Sequence, residues 1–123
     1  MKKLKLLIVP LFLIFNLSAQ AETIQGLVVK IADGDTLTLL TGSNEKIKVR
    51  LAGIDTPERK QSFGDTAKNA LAKLVFHKKI LIETQTKDRY GRTVGMVFLD
   101  NLNVNNELVR QGMAWVYRKY TDN

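Results

Sequence analysis

Between Ile54 and Ala67 the hydrophobic period of this chain changes, and that switch limits what it can fold into. Upstream, three short segments read as strands: Ile24 to Ala32, Thr36 to Leu40 and Lys46 to Ile54. In the third, Ile47, Val49 and Leu51 share one face while Lys48 and Arg50 share the other, the alternation of a half-buried strand. "DGD" at Asp33 to Asp35 and "TGSNE" separate the segments as turns, so they form a meander. Downstream, Ala67, Ala70, Leu71, Leu74 and Val75 recur at helical spacing, predicting a helix from about Asp65 to Phe76. Asp65 suits either the cap or the first turn of that helix.

After the helix the strand pattern returns. Ile80 to Thr86 and Thr93 to Leu99 are expected as strands around the turn "KDRYGR". Val104 to Gln111 reads as a short second helix, with Gly112 placed as its C-terminal cap. Strands, helix, strands, helix is an α+β order. Five strands with a helix between the third and fourth is also the order of an OB-fold, a small Greek-key barrel that often binds nucleic acid.

The first residues lie outside this pattern. Lys2, Lys3 and Lys5 precede an apolar run from Leu6 to Leu17, and "SAQA" supplies small residues before a cleavage point after Ala21. This is the layout of a secretory signal peptide. The run is too short for a bilayer span, which takes about 20 residues. The expected domain is therefore residues 22–123, with residues 1–21 as leader, and export to the periplasm or the medium is implied. Losing three lysines takes the formal charge from +7 to +4. A basic exported domain suggests anionic partners. The chain has no cysteine and one histidine, which argues against a zinc site or a serine triad. No role is expected for His77.

The acids fall at strand ends. Asp35 opens the second strand and Asp55 closes the third, and antiparallel neighbours bring those two ends together. An Asp-Gly turn and a solvated loop acid are the plain readings of "DGDT" and of Glu58 taken singly. Together, however, two carboxylates held close repel unless a cation bridges them or one is protonated. Oxygen ligands alone suit a hard ion, Ca²⁺ or Mg²⁺. Pro57 keeps Thr56 extended, which aims the Thr56 carbonyl as a third ligand. Arg50 and Asp55 stand five residues apart, so a regular strand would put them on opposite faces. A bulge or strand end near Gly53 is required to bring them together.

The bases complete the set. Arg50 projects from the polar face of the third strand, and "DRYGR" carries Arg89 and Arg92 around Tyr90 and Gly91. A guanidinium presents a planar fork that matches two phosphate oxygens. Each arginine singly reads as a surface charge; two of them with a divalent cation would clamp a phosphodiester. Tyr90 is expected to stack on a base or to cover the barrel edge. Trp115, Tyr117 and Tyr120 are read as packing or surface aromatics, and Arg59 as a loop charge.

"DGDT", "VRLAGIDTPE" and "DRYGR", in that order, closely resemble the thermonuclease family, also called staphylococcal nuclease homologues, and "NNELVRQGMAWVY" resembles the segment that follows. The resemblance runs from about Ile24 to Tyr120. It implies an OB-fold barrel with flanking helices and Ca²⁺-dependent hydrolysis of DNA and RNA, cutting at the 5′ oxygen to leave 3′-phosphate ends. By motif, Asp35 and Asp55 with the Thr56 carbonyl would be metal ligands. Arg50, Glu58 and Arg92 would be catalytic. Arg89 and Tyr90 would contact a neighbouring phosphate and base, and Asp33 would support the metal site. The family usually continues into a further C-terminal helix, so the barrel is expected without that helix. A monomer is expected. A non-catalytic OB-fold binding module is the alternative, although all five principal site positions carry the family's residue types.

Overall fold

In the computed structural model, the described residues are 22–116, with Lys3 and Pro10 before them. The expected leader and Tyr117 and Tyr120 therefore lie outside the described residues.

The meander is present. Strand β1 (Thr23–Asp33) pairs antiparallel with β2 (Thr36–Thr41), and β2 with β3 (Lys46–Leu51). The register of β1 against β2 shifts between Val28 and Lys30 and again between Ile31 and Asp33. Such bulges increase local twist, which lets one long strand bend around the barrel. The third strand ends earlier than its apolar pattern suggests. It stops at Leu51, and Ile54–Asp55 forms a separate short strand, β4.

Helix α1 (Gly64–Val75) buries Ala67, Leu71 and Val75 on the face that the period predicts. Asp65 lies in its first turn rather than at the cap, which is Phe63 in a left-handed conformation. Beyond the helix the chain is stitched to β1. The His77 N–H donates to the Val28 carbonyl, and the Val28 N–H to that of Lys78, both at 3.0 Å. This hands the chain into β5 (Lys79–Lys87), antiparallel to β1, and β5 pairs with β6 (Thr93–Leu99).

Closure comes from β6 lying parallel to β3, with Val49, Arg50 and Leu51 opposite Thr93, Val94 and Gly95. The order β3-β2-β1-β5-β6, returning to β3, is a closed five-stranded barrel. With two helices it is the OB-fold expected from the element order. Closure covers the outer edge of β3 from Val49 to Leu51. Val28, Leu37, Leu39, Val49, Leu51, Ile82 and Val97 fill its interior, all fully buried. Leu71 and Val75 from α1 continue that core, as do Val104 and Leu108 from α2 (Val104–Arg110).

Two short elements complete the fold. β7 (Leu102–Asn103) extends the sheet beyond β6. β8 (Trp115–Val116) pairs antiparallel with β4, placing Trp115 opposite Asp55.

Candidate active site

The break after β3 builds the first half of the site. Gly53 adopts φ 72°, a left-handed conformation that costs an L-residue roughly 1–2 kcal/mol. That turn reverses the step of the chain, as the five-residue spacing requires. Arg50 and Asp55 consequently meet, with Arg50 Nη2 2.7 Å from Asp55 Oδ1. The same guanidinium donates from Nη1 to the carbonyls of Leu51 and Ile54, both at 2.8 Å. It also lies 3.3 Å from Asp35 Oδ2. Arg50 therefore sits between the two acids and staples the corner shut.

Asp35 arrives through the meander. Thr36 is opposite Arg50 in the β2–β3 register, so its neighbour Asp35 falls beside that arginine. The Thr36 hydroxyl donates to Asp35 Oδ1 at 3.0 Å, and the Leu51 N–H donates to the Asp35 carbonyl at 2.8 Å. Thr56 is buried against Gly34, where an added Cβ would stand 3.0 Å from the Thr56 side chain. Its hydroxyl is buried with no hydrogen-bond partner among the described residues.

The second half of the site is a local turn. Asp88 Oδ1 accepts from the backbone N–H groups of Tyr90 and Arg92, each at 2.9 Å. Its Oδ2 accepts from Arg92 Nε at 2.6 Å. Partial burial pushes the Asp88 carboxyl up. The Arg92 and Tyr90 N–H groups and the Arg92 charge outweigh that and hold it below its ordinary range. With Nε committed to Asp88, the two Nη groups of Arg92 have no hydrogen-bond partner among the described residues. Arg89 Nη2 donates to the Tyr90 hydroxyl at 2.9 Å. The Arg89 and Arg92 guanidinium carbons lie 5.0 and 5.3 Å from the Tyr90 ring centre, within cation–π range.

A cavity of about 550 Å³ joins the halves, lined by Arg50 and Asp55 together with Asp88, Arg89, Tyr90 and Arg92. Asp33, Asp35, Thr56 and Glu58 do not line it. Glu58 is exposed. Its N–H donates to Gln61 Oε1 and its carbonyl accepts from the Gln61 N–H, both at 2.8 Å. Its carboxylate has no hydrogen-bond partner among the described residues, and neither does that of Asp33. The structure thus gathers Asp35, Arg50 and Asp55 tightly, brings Arg89, Tyr90 and Arg92 to the cavity that Arg50 and Asp55 line, and leaves Glu58 outside that lining. Trp115 is exposed, as a surface aromatic.

Two residues of this architecture escape the motif reading. Asp88 orders the arginine turn, and its signal is present in the sequence: an acid two residues before a Tyr-Gly pair is a side-chain turn former. Asn105 is 1% exposed. Its Oδ1 accepts from the Val97 N–H at 3.0 Å, and its Nδ2 donates to the Ala52 carbonyl at 2.9 Å. It thereby ties α2 and β6 to the residue just before the Gly53 break. The only signal for it is a polar side chain among the apolar positions of a short helix.

The donor set fits a hard cation. Two carboxylates converge on one guanidinium, which leaves that corner net negative, and every side-chain donor there is oxygen. Among the described residues no cluster of three His, Cys, Asp or Glu side chains forms a metal site.

A closed OB-fold barrel with paired acids and facing arginines defines a protein suited to handling a phosphodiester. The model of the staphylococcal nuclease homologue family matches residues 48–123. The chain is 47% identical over 121 residues to an uncharacterized endonuclease of Haemophilus influenzae, covering 95% of this chain and 67% of that protein. It is 43% identical over 104 residues to protein ParB of Escherichia coli, covering 77% of this chain and 58% of that protein. It is 41% identical over 117 residues to a micrococcal nuclease of Shigella flexneri, covering 88% and 66% respectively. The chain belongs to the staphylococcal nuclease homologue family, and it spans about two thirds or less of the length of these relatives.

Proposed function

We propose that the protein is an exported, calcium-dependent, sugar-nonspecific endonuclease that acts as a monomer on DNA and RNA. It cleaves the P–O5′ bond and leaves 3′-phosphate ends. The observation that supports this reading is Arg50, gripped by Asp35 and Asp55, lining one cavity with Arg92.

Asp35, Asp55 and the Thr56 carbonyl would hold the ion, which when bound polarises a phosphoryl oxygen. The rest of the chemistry belongs to the chain. Arg92, with Nε held by Asp88, offers its Nη fork to two phosphate oxygens. Arg50, in the same cavity, meets the charge that builds on the phosphoryl group. Glu58 orients the attacking water or takes its proton. The water oxygen bonds to phosphorus, the P–O5′ bond breaks, and the leaving oxygen departs as a 5′-hydroxyl. Tyr90 and Arg89 contact the adjoining base and phosphate, and Asp33 supports the acid corner.

The second reading is a binding module without turnover. The position of Glu58 favours it, since that exposed carboxylate lies outside the cavity lining. One experiment separates the two. DNA nicking is followed with chelator, after Ca²⁺ is restored, and in Glu58→Ala and Arg92→Ala, with circular dichroism to check the fold. The enzyme reading expects cleavage to need Ca²⁺. It expects a fall of about 10²–10⁴ without the carboxylate and about 10³–10⁵ without the arginine. Salt-dependent binding with no Ca²⁺-stimulated cleavage would establish the binding module instead. Undiminished cleavage in both variants would sink the site assignment.

A further inference from the structure

Beside the candidate site the barrel seam is open. β3 pairs with β2 along Lys46–Arg50, but β6 reaches it only from Val49 onward. The first half of β3 therefore has a free edge. It faces a cavity of about 650 Å³ whose opposite wall is the end of β5, from Thr84 to Lys87. Lys46, Lys48 and Lys87 line this opening, all are exposed, and none is ion-paired among the described residues. Glu22 and Glu45 also line it.

The lysines continue the charge of the site. Lys46, Lys48 and Arg50 alternate along one face of β3, about 7 Å apart. Arg50 lies opposite Val94 in a parallel register. Arg92 immediately precedes Thr93, the first β6 residue, which pairs with Val49 and lines the same opening as Lys48. The cations therefore run from the two arginines into the opening. Edge protection alone would explain a lysine on a free strand edge. It does not explain Lys87, which enters from a different strand and lines the same cavity.

We propose that this opening is a second phosphate-binding groove, in which Lys46, Lys48 and Lys87 hold the nucleic-acid strand on one side of the phosphate held at Arg50 and Arg92. The groove rests on the nuclease reading for its substrate class. Among the described residues no aromatic side chain lines it, so these residues grip phosphates and are indifferent to base identity.

Binding tests the groove without requiring cleavage. The whole chain is titrated, in chelator, against fluorescein-labelled oligothymidine of about 16 nucleotides, the upper site size of one OB-fold, over a range of KCl concentrations. A protein loses about 0.7 of salt slope per single-strand phosphate contact removed. Lys46→Gln/Lys48→Gln/Lys87→Gln should therefore flatten the slope by about 2, and Lys48→Gln alone by about 0.7. Lys73→Gln/Lys78→Gln/Lys79→Gln removes the same charge from exposed positions elsewhere and should keep the wild-type slope. Equal flattening by both triple variants reduces the effect to net charge and overturns the groove. So does an unchanged slope in the first triple variant, or no binding by the wild type at low salt. Should the single variant alone fold, its slope decides. If the wild type binds as expected but never cleaves with Ca²⁺, the nuclease reading fails and the groove stands.

Discussion

Arg50 and Arg92 line the same cavity, but different parts of the chain hold them. Arg50 is fixed by Asp35 from the preceding turn, by Asp55 beyond the strand break at Gly53, and by two carbonyls of that break. The break is anchored in turn by Asn105 from the second helix. Arg92 is fixed by Asp88, four residues earlier in one turn. One arginine is thus placed by the tertiary fold and the other by local turn chemistry. The first should fail when distant packing fails, and the second should survive it.

Asn105→Ala should produce the largest effect. It leaves the Val97 N–H and the Ala52 carbonyl without their side-chain partner. Each unsatisfied buried group costs about 1–3 kcal/mol, so a loss of about 2–6 kcal/mol is expected for the two. Urea denaturation reads that loss. Nicking assayed well below the midpoint should fall with it, because the Arg50 corner loosens. A destabilised variant with a fully active site would show that the corner does not depend on α2.

Gly53 and Gly91 sharpen the contrast, because both have positive φ and nothing within 4 Å of an added Cβ. Alanine at either position should cost about 1–2 kcal/mol through the backbone alone. Their consequences should then part. Under the proposed calcium-dependent mechanism, Gly53→Ala disturbs the geometry joining Arg50 to Asp55, so it should raise the Ca²⁺ concentration needed for cleavage by about tenfold, the equivalent of 1.4 kcal/mol. Gly91→Ala disturbs the Arg92 turn, so it should lower the rate at saturating Ca²⁺ and leave the requirement alone. Identical Ca²⁺ responses would abolish the distinction.

The same contrast explains what the sequence could show. The strands and α1 are legible because their apolar periods match the faces that the barrel buries, as with Ala67, Leu71 and Val75. The Gly53 break follows from a contradiction: residues five apart cannot share a face unless the backbone breaks step. The early end of β3 at Leu51 is not legible, since Ala52 and Ile54 stay buried on either side of the turn and the apolar run continues through it. Asn105 is illegible for a related reason. Its partners are at Ala52 and Val97, and only the closed barrel brings them to it. Asp88 could have been read from its local turn.

Asp88→Asn should have the smallest effect and is the most specific to the local side of the comparison. An asparagine oxygen can still accept from the Tyr90 and Arg92 N–H groups, so the turn persists while the ion pair to Arg92 weakens. A partly exposed ion pair of this kind is worth about 1 kcal/mol or less. Its pH dependence identifies it. The folded carboxyl titrates below its ordinary value of 3.8, so its stabilising contribution is fully present above that value. It is lost as the pH falls through the lower folded value. Wild type should therefore be slightly more stable than Asp88→Asn at pH 6, and the gap should narrow on acidification below pH 3.8 as the native acid becomes neutral. Urea midpoints for both proteins across that range measure the gap. A gap of constant size would mean that Asp88 acts through the shape of its turn, with no contribution from its charge.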